Sequence, residues 1–231
     1  MTKSKAIIII GAGEFAEIAY EYFTHDSPYQ VMGFSVESQY LEHTTLFGLP
    51  VVPFENVEHF FSPQECEAFV AITFTKLNRV RTRLYQAAKA KGYQMASYRS
   101  SKAFIWHNVK MGENCFIFEN NVIQHHATIG NNVIMWSGNH VGHRSVIEDN
   151  CFISSHVVIS GYCQIGQNCF VGVNSTLNDH ITIAQDCLIG SGSLIVKNTE
   201  AGKIYTGNPA VASKVDSFRY FKISEPAHSA V

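Results

Sequence analysis

The sequence predicts a small α/β domain built on a parallel sheet, followed by a three-sided parallel β-solenoid. Three observations carry this. Every sixth residue from Ile105 to Ile195 is aliphatic or Met, sixteen in succession. The residue two places before each of these is mostly small, and five of the six cysteines fall in that register. The N-terminal third instead alternates short apolar strands with helix-spaced apolar residues, and it carries a Gly-rich turn between the first such strand and helix.

In chain order, KAIIIIG (residues 5–11) reads as a buried strand. Phe15, Ile18, Ala19, Tyr22 and Phe23 have helical spacing. VMGFSV, GLPVVPF and AFVAIT (residues 68–73) are predicted strands, and YQMASY is a last strand leading into the solenoid. KLNRVRTRLYQAAKAKG (residues 76–92) predicts an amphipathic helix closed by Gly92 at its C′ position. Strand alternating with helix implies a parallel sheet of Rossmann-like kind, because parallel strands need a crossover. Gly11, Gly13 and Ala16 form a G-x-G-x-x-A turn. Glycines there let backbone approach a ligand, and the helix N-terminus offers free N–H groups to an anion. The reading places this domain at 1–100, the solenoid at 101–212, and a tail at 213–231 whose SKVDSFRYFKIS stretch caps the last coil as a short helix, with Phe218, Tyr220 and Phe221 as its apolar cover.

In the solenoid, a large aliphatic next to a small residue suits the inner wall of a narrow tube. The cysteines Cys115, Cys151, Cys163, Cys169 and Cys187 therefore read as small hydrophobes, not as metal ligands or disulfide partners. Glycine often follows the aliphatic, and Asn or Asp fills the turns. Strand and turn repeating every six residues give a coil of about 18 residues and a stacked β-solenoid.

Composition limits the function classes. Of 231 residues 46% are hydrophobic and 16% charged, as in globular chains. The formal net charge of −2, with scattered basic residues, gives no footprint for nucleic acid. No apolar stretch approaches the roughly 18 residues of a membrane span, so neither a membrane partner nor a signal peptide is expected, and the cytoplasm is the expected location.

Stacking the coils brings residues 18 apart into columns. One contains His107, His125, His143, Gly161, Asp179 and Lys197; the next contains Asn108, His126, Arg144, Tyr162, His180 and Asn198. Histidines thus gather at turn positions along one edge. An imidazole titrates near neutrality and can take a proton from an attacking amine or hydroxyl. Gly161, one coil above His143, can offer a backbone N–H to the oxyanion of an acyl transfer. His140 precedes inward Val141 and points out from a flat face.

Taken together, IIIIGAGEFAEIA, GLPVVPFE, the array with GHRSVIED, HVVISG, NCFVGVNS, LIGSGSLIVKN and the closing YTGNPA resemble the hexapeptide-repeat sugar O-/N-acyltransferases of the NeuD and PglD kind, bacterial surface-sugar acetyltransferases. The resemblance spans roughly residues 5–212. It implies a left-handed parallel β-helix, although the general crossover rule would give the opposite hand. It also implies a homotrimer with the active site between subunits, acetyl-CoA as co-substrate in the groove between β-helices, and a nucleotide-linked amino sugar on the N-terminal domain, N-acetylation being favoured. By that likeness His143 is the general base and the Gly161 N–H faces the acetyl carbonyl. Val173 and Ser191 line the acetyl-CoA groove with Gly161. Gly13, Glu14, Phe15, Glu37, Gly48 and His125 meet the sugar substrate.

The sequence departs from that pattern twice. Arg144 stands where such proteins carry an acid that orients the histidine, so another acceptor is required, with Glu148, Asp149 or a residue of the next subunit as candidates. The acidic pair that meets the nucleotide falls near Val36 and Glu37, leaving one acid. Three other functions remain open: sugar O-acetylation, a zinc hydratase drawing on His125, His140 and His143 across a subunit boundary, and a non-catalytic trimeric scaffold.

Overall fold

The computed structural model describes residues 2–223. Strand β1 (Lys5–Ile10) lies inside a five-stranded sheet with β2 (Tyr29–Val36), β3 (Thr45–Leu46), β4 (Leu49–Pro53) and β5 (Cys66–Val70). The order is β3-β4-β2-β1-β5, parallel except for the β3–β4 hairpin. Ile7 to Ile10 are fully buried, as expected of a strand covered on both faces. Helix α1 (Glu14–His25) starts directly after the Gly-rich turn. A single turn, α2 (Val57–Phe60), precedes β5, and α3 (Arg79–Ala90) follows it.

Helix α3 starts three residues later than the periodicity predicts. Lys76, Leu77 and Asn78 all adopt left-handed backbone, with φ of 51°, 47° and 66°, which no right-handed helix accommodates. Leu77 and Asn78 are fully buried there, so packing overrides helical propensity. Gly92 closes the helix as expected, with φ of 93° and its N–H on the Lys89 carbonyl.

Sixteen two-residue strands, from Phe104–Ile105 to Leu194–Ile195, sort into three parallel sheets. Each residue pairs with those 18 positions away: Val122 with His140, and His140 with Val158. The inward aliphatics from Ile117 to Ile195 are buried, with Ile105 and Met111 packed against them at the first coil. All five cysteines of the small register are buried and reduced. From Met111 to Ile189, the third residue after each inward aliphatic turns the corner in left-handed conformation, with φ of 52° to 66° wherever it is not glycine.

The three outer faces differ. Tyr98, Phe116, Ile134, Phe152 and Phe170 form an aromatic face on which the N-terminal domain sits. Phe15, Phe23 and Phe69 meet Phe116 at ring-centroid distances of 5.5, 5.9 and 5.3 Å. Lys110, Thr128, Val146, Gln164 and Thr182 make a polar face. On the third, open face, Phe104, Val122 and Val158 are exposed beside His140.

Beyond the last coil, Lys203–Gly207 and Ala210–Asp216 extend the aromatic face as an antiparallel hairpin. Of the predicted capping helix, Ser213 to Asp216 therefore belong to the hairpin, and α4 (Ser217–Phe221) is helical as expected. The sheet edge left by the final coil offers hydrogen bonds to a strand that a helix cannot take. Phe218 packs over Gly202, whereas Tyr220 is exposed. The end of the predicted tail, residues 224–231, lies outside the described residues. Among those described, no helix is long and apolar enough to cross a membrane.

Candidate active site

The corner between the open and polar faces is the histidine edge. Its turn residues His126, Arg144, Tyr162 and His180 all have left-handed backbone. This forces each preceding residue outward, so the imidazoles of His125 and His143 stack along the edge, 5.5 Å apart and 18° from parallel. Tyr162 meets His143 edge-on at 5.1 Å and stacks on His180 at 4.8 Å. Asn108 anchors the lower end, accepting the His126 N–H at 2.8 Å. Desolvation, and then the neighbouring His126, His143 and Arg144, lowers the His125 pKa below the ordinary imidazole value.

The predicted pair is brought together. A Cβ on Gly161 would lie 2.7 Å from His143 Cε1 and 3.0 Å from its Nε2, so the imidazole occupies the space a side chain would fill. A Cβ on Gly142 would lie 2.5 Å from the Gly161 nitrogen. Two glycines therefore clear the ground around one amide, and the Gly161 N–H has no acceptor among the described residues. A half-buried imidazole thus sits beside a free N–H, the two groups that acyl transfer requires.

The acceptor that Arg144 cannot supply is Gln124. Its Oε1 accepts the His143 backbone N–H at 2.9 Å and lies 3.3 Å from His143 Nδ1. The candidates Glu148 and Asp149 do not serve: Asp149 accepts the Asn131 N–H at 2.7 Å on another edge, and Glu148 is exposed just before it. The 18-residue column places Gln124 below Gly142, not below His143, so the contact is not read from the repeat.

Val173 and Ser191 are exposed on the serine edge, between the aromatic and open faces. In one chain the open face separates them from His143 and Gly161. His156 is on that same edge, its ring over Gly138.

In the N-terminal domain, a cleft of about 330 Å³ opens at the C-terminal ends of β1 and β2, lined by Gly11, Gly13, Ser35, Glu37 and His43 among others. Parallel α/β sheets bind ligands at this location. Both Glu37 oxygens are held by Arg83, at 2.9 and 2.8 Å. A second cleft of about 290 Å³, lined by Gly13, Glu14, Phe15, Thr73 and Trp136, runs between α1 and the solenoid. Gly13 borders both clefts. The Phe15 ring is buried among Phe69, Phe116, Phe118 and Trp136, so it serves the interdomain core first. Gly48 lies at the β3–β4 hairpin tip with φ of 75° and does not line the main cleft, because the hairpin presents Thr45, Leu46 and Val51 there instead. His125 is on the histidine edge, in neither cleft. Among the described residues, no three His, Cys, Asp or Glu side chains are grouped to hold a metal ion.

The family described as bacterial transferase hexapeptide (six repeats) matches residues 108–143 and 162–197. No curated protein matches the chain in sequence. Among solved structures, a histidine-to-asparagine variant of perosamine N-acetyltransferase from Caulobacter crescentus, in complex with CoA and GDP-perosamine, is 21% identical with a TM-score of 0.82, covering 91% of this chain and 97% of its own. The acetyltransferase domain of PglB from Neisseria gonorrhoeae, in complex with acetyl coenzyme A, is 21% identical with a TM-score of 0.81, covering 91% and 100%. WeeI from Acinetobacter baumannii is 22% identical with a TM-score of 0.77, covering 91% and 100%. These likenesses establish the fold as an α/β domain followed by a left-handed parallel β-helix.

Proposed function

We propose that this chain is an acetyl-CoA-dependent acetyltransferase acting on the amino group of a nucleotide-linked sugar. The observation that carries the reading is the His143 imidazole lying against Gly161, whose N–H is free. As the sugar nitrogen attacks the thioester carbonyl, the Gly161 N–H donates to the developing oxyanion. His143 Nε2 takes the proton that the nitrogen sheds. Collapse breaks the carbon–sulfur bond, and the imidazolium returns the proton to the departing sulfur. The products are an N-acetylated sugar and free CoA.

The ligands of the similar structures, CoA, acetyl coenzyme A and GDP-perosamine, fit the same chemistry. The cleft at β1 and β2 suits the nucleotide, with the N–H groups of α1 directed at its phosphates.

Face order adds an argument for assembly. The N-terminal domain covers the aromatic face, and the histidine edge is the corner of the prism opposite that face. The proposed nucleotide cleft belongs to the domain on the aromatic face, and His143 of the same chain lies on the opposite corner. A ring of copies packed through the exposed Phe104, Val122 and Val158 would set the histidine edge of one chain against the serine edge of the next. That brings Val173, Ser191 and the second cleft beside a neighbour's His143. We infer a homotrimer with shared sites.

The test is a screen of nucleotide-linked amino sugars with acetyl-CoA, following thiol release, with mass spectrometry of the product. Thiol release that depends on an amino sugar, with acetyl gained on nitrogen, is the expected result. Absence of acetyl-CoA binding by calorimetry, together with no turnover of any sugar, would overturn the reading. Sedimentation should give three chains per particle, and Val122→Glu should dissociate them.

A further inference from the structure

We propose that Gln124 is the positioning residue of the histidine edge, selecting the His143 tautomer that leaves Nε2 free to accept a proton. This rests on the acyl-transfer reading of the same edge and deepens it. A backbone N–H can only donate, and the His143 N–H meets the Gln124 side chain at 2.9 Å. The atom facing it is therefore the carbonyl oxygen, not the amide nitrogen. The same oxygen lies 3.3 Å from His143 Nδ1. An oxygen that only accepts requires Nδ1 to carry the hydrogen, which puts the ring's lone pair on Nε2, beside Gly161.

The placement is well fixed. Gln124 lies on the coil below, its own N–H on the Val141 carbonyl at 3.0 Å, so its backbone is held by the strand ladder that carries His143. Gly142, next up its column, has no side chain to intrude. Arg144, being only a donor, cannot take this role. The other titratable groups around the ring are His125, stacked below it, Tyr162 at its edge, and the adjacent Arg144. None of these hydrogen-bonds to Nδ1.

The experiment is a nitrogen-15 NMR measurement of histidine tautomers in the full-length protein, assigned with His143→Ala, alongside steady-state kinetics on any accepted sugar. Wild type should show His143 protonated on Nδ1 in its neutral form. Gln124→Leu should lose that preference and lower kcat by about tenfold to a hundredfold, with the KM for acetyl-CoA little changed. Gln124→Glu should restore the tautomer and most of the turnover, and move the acid limb of kcat/KM to higher pH, because a carboxylate favours imidazolium. A wild-type His143 protonated on Nε2, or an unchanged tautomer in Gln124→Leu, would overturn the proposal. The NMR arm needs no substrate. If no sugar is accepted, the acyl-transfer reading fails while the role of Gln124 is still decided.

Discussion

Two edges of the same prism, built by one repeat on one backbone, have opposite characters. On the asparagine edge, between the polar and aromatic faces, the left-handed corners are Asn114, Asn132, Asn150, Asn168 and Asp186. Their side chains form a ladder, Asn114 to Asn132 at 2.7 Å and Asn132 to Asn150 at 2.8 Å, with Asn114 and Asn132 fully buried. Arg81 closes it from above. Its guanidinium is fully buried and donates to the carbonyls of Thr73, Asn132, Asn150 and Cys151. Burial pulls its pKa down to about 9, and those carbonyls keep it protonated at neutral pH. On the histidine edge, the equivalent corners are His126, Arg144, Tyr162 and His180, exposed, with no hydrogen bond between their side chains. Asparagine tolerates left-handed backbone; Arg and Tyr there cost of order 1 kcal/mol each. The repeat fixes the backbone, so corner side chains are free to specialise, and the Arg and Tyr corners lie on the edge proposed above for acyl transfer.

Arg81 is the residue on which the asparagine edge depends most. Replacing it with Ala leaves several buried carbonyls without donors and should cost about 3–5 kcal/mol, lowering the melting temperature by about 10 °C in calorimetry. Turnover of the protein that remains folded should be unchanged.

The mirror experiment is His143→Ala, which should leave melting where it was and cut turnover by about a hundredfold, equivalent to about 2.7 kcal/mol of barrier. If both variants lose stability alike, the two edges are not specialised as argued.

Gly161→Ala sharpens the division. The new methyl must displace the imidazole now 2.7 Å from that position. Turnover should fall by about tenfold, the scale of a misplaced general base, with circular dichroism unaltered.

The smallest effect is a gain. Arg144→Asn should stabilise the fold by about 0.5–1 kcal/mol, read from denaturant midpoints, by relieving a left-handed Arg.

The β-helix was legible because a six-residue period constrains sixteen positions alike: Ile117 and Ile189 answer to the same inward geometry, and neither depends on anything outside the array. The pairing of His143 with Gly161 followed from an 18-residue coil. What escaped notice lies off the period. Gln124 reaches His143 across a 19-residue offset through a flexible side chain, which columns alone do not place. Arg81 reads as one cation on an amphipathic helix, and only the docked solenoid reveals that it is buried. Leu77 and Asn78 carry helical propensity that tertiary packing overrules. At the start of the tail, Ser213 to Asp216 became strand because of an unsatisfied sheet edge.

The separation of the β1–β2 cleft from the imidazole by the width of the prism has a genetic consequence in the proposed trimer. In a closed ring, a polypeptide lacking its histidine still supplies an intact cleft, and one with a spoiled cleft still supplies an intact histidine. Two inactive alleles, co-expressed in equal amounts and assembling at random, would regenerate about a quarter of the normal sites.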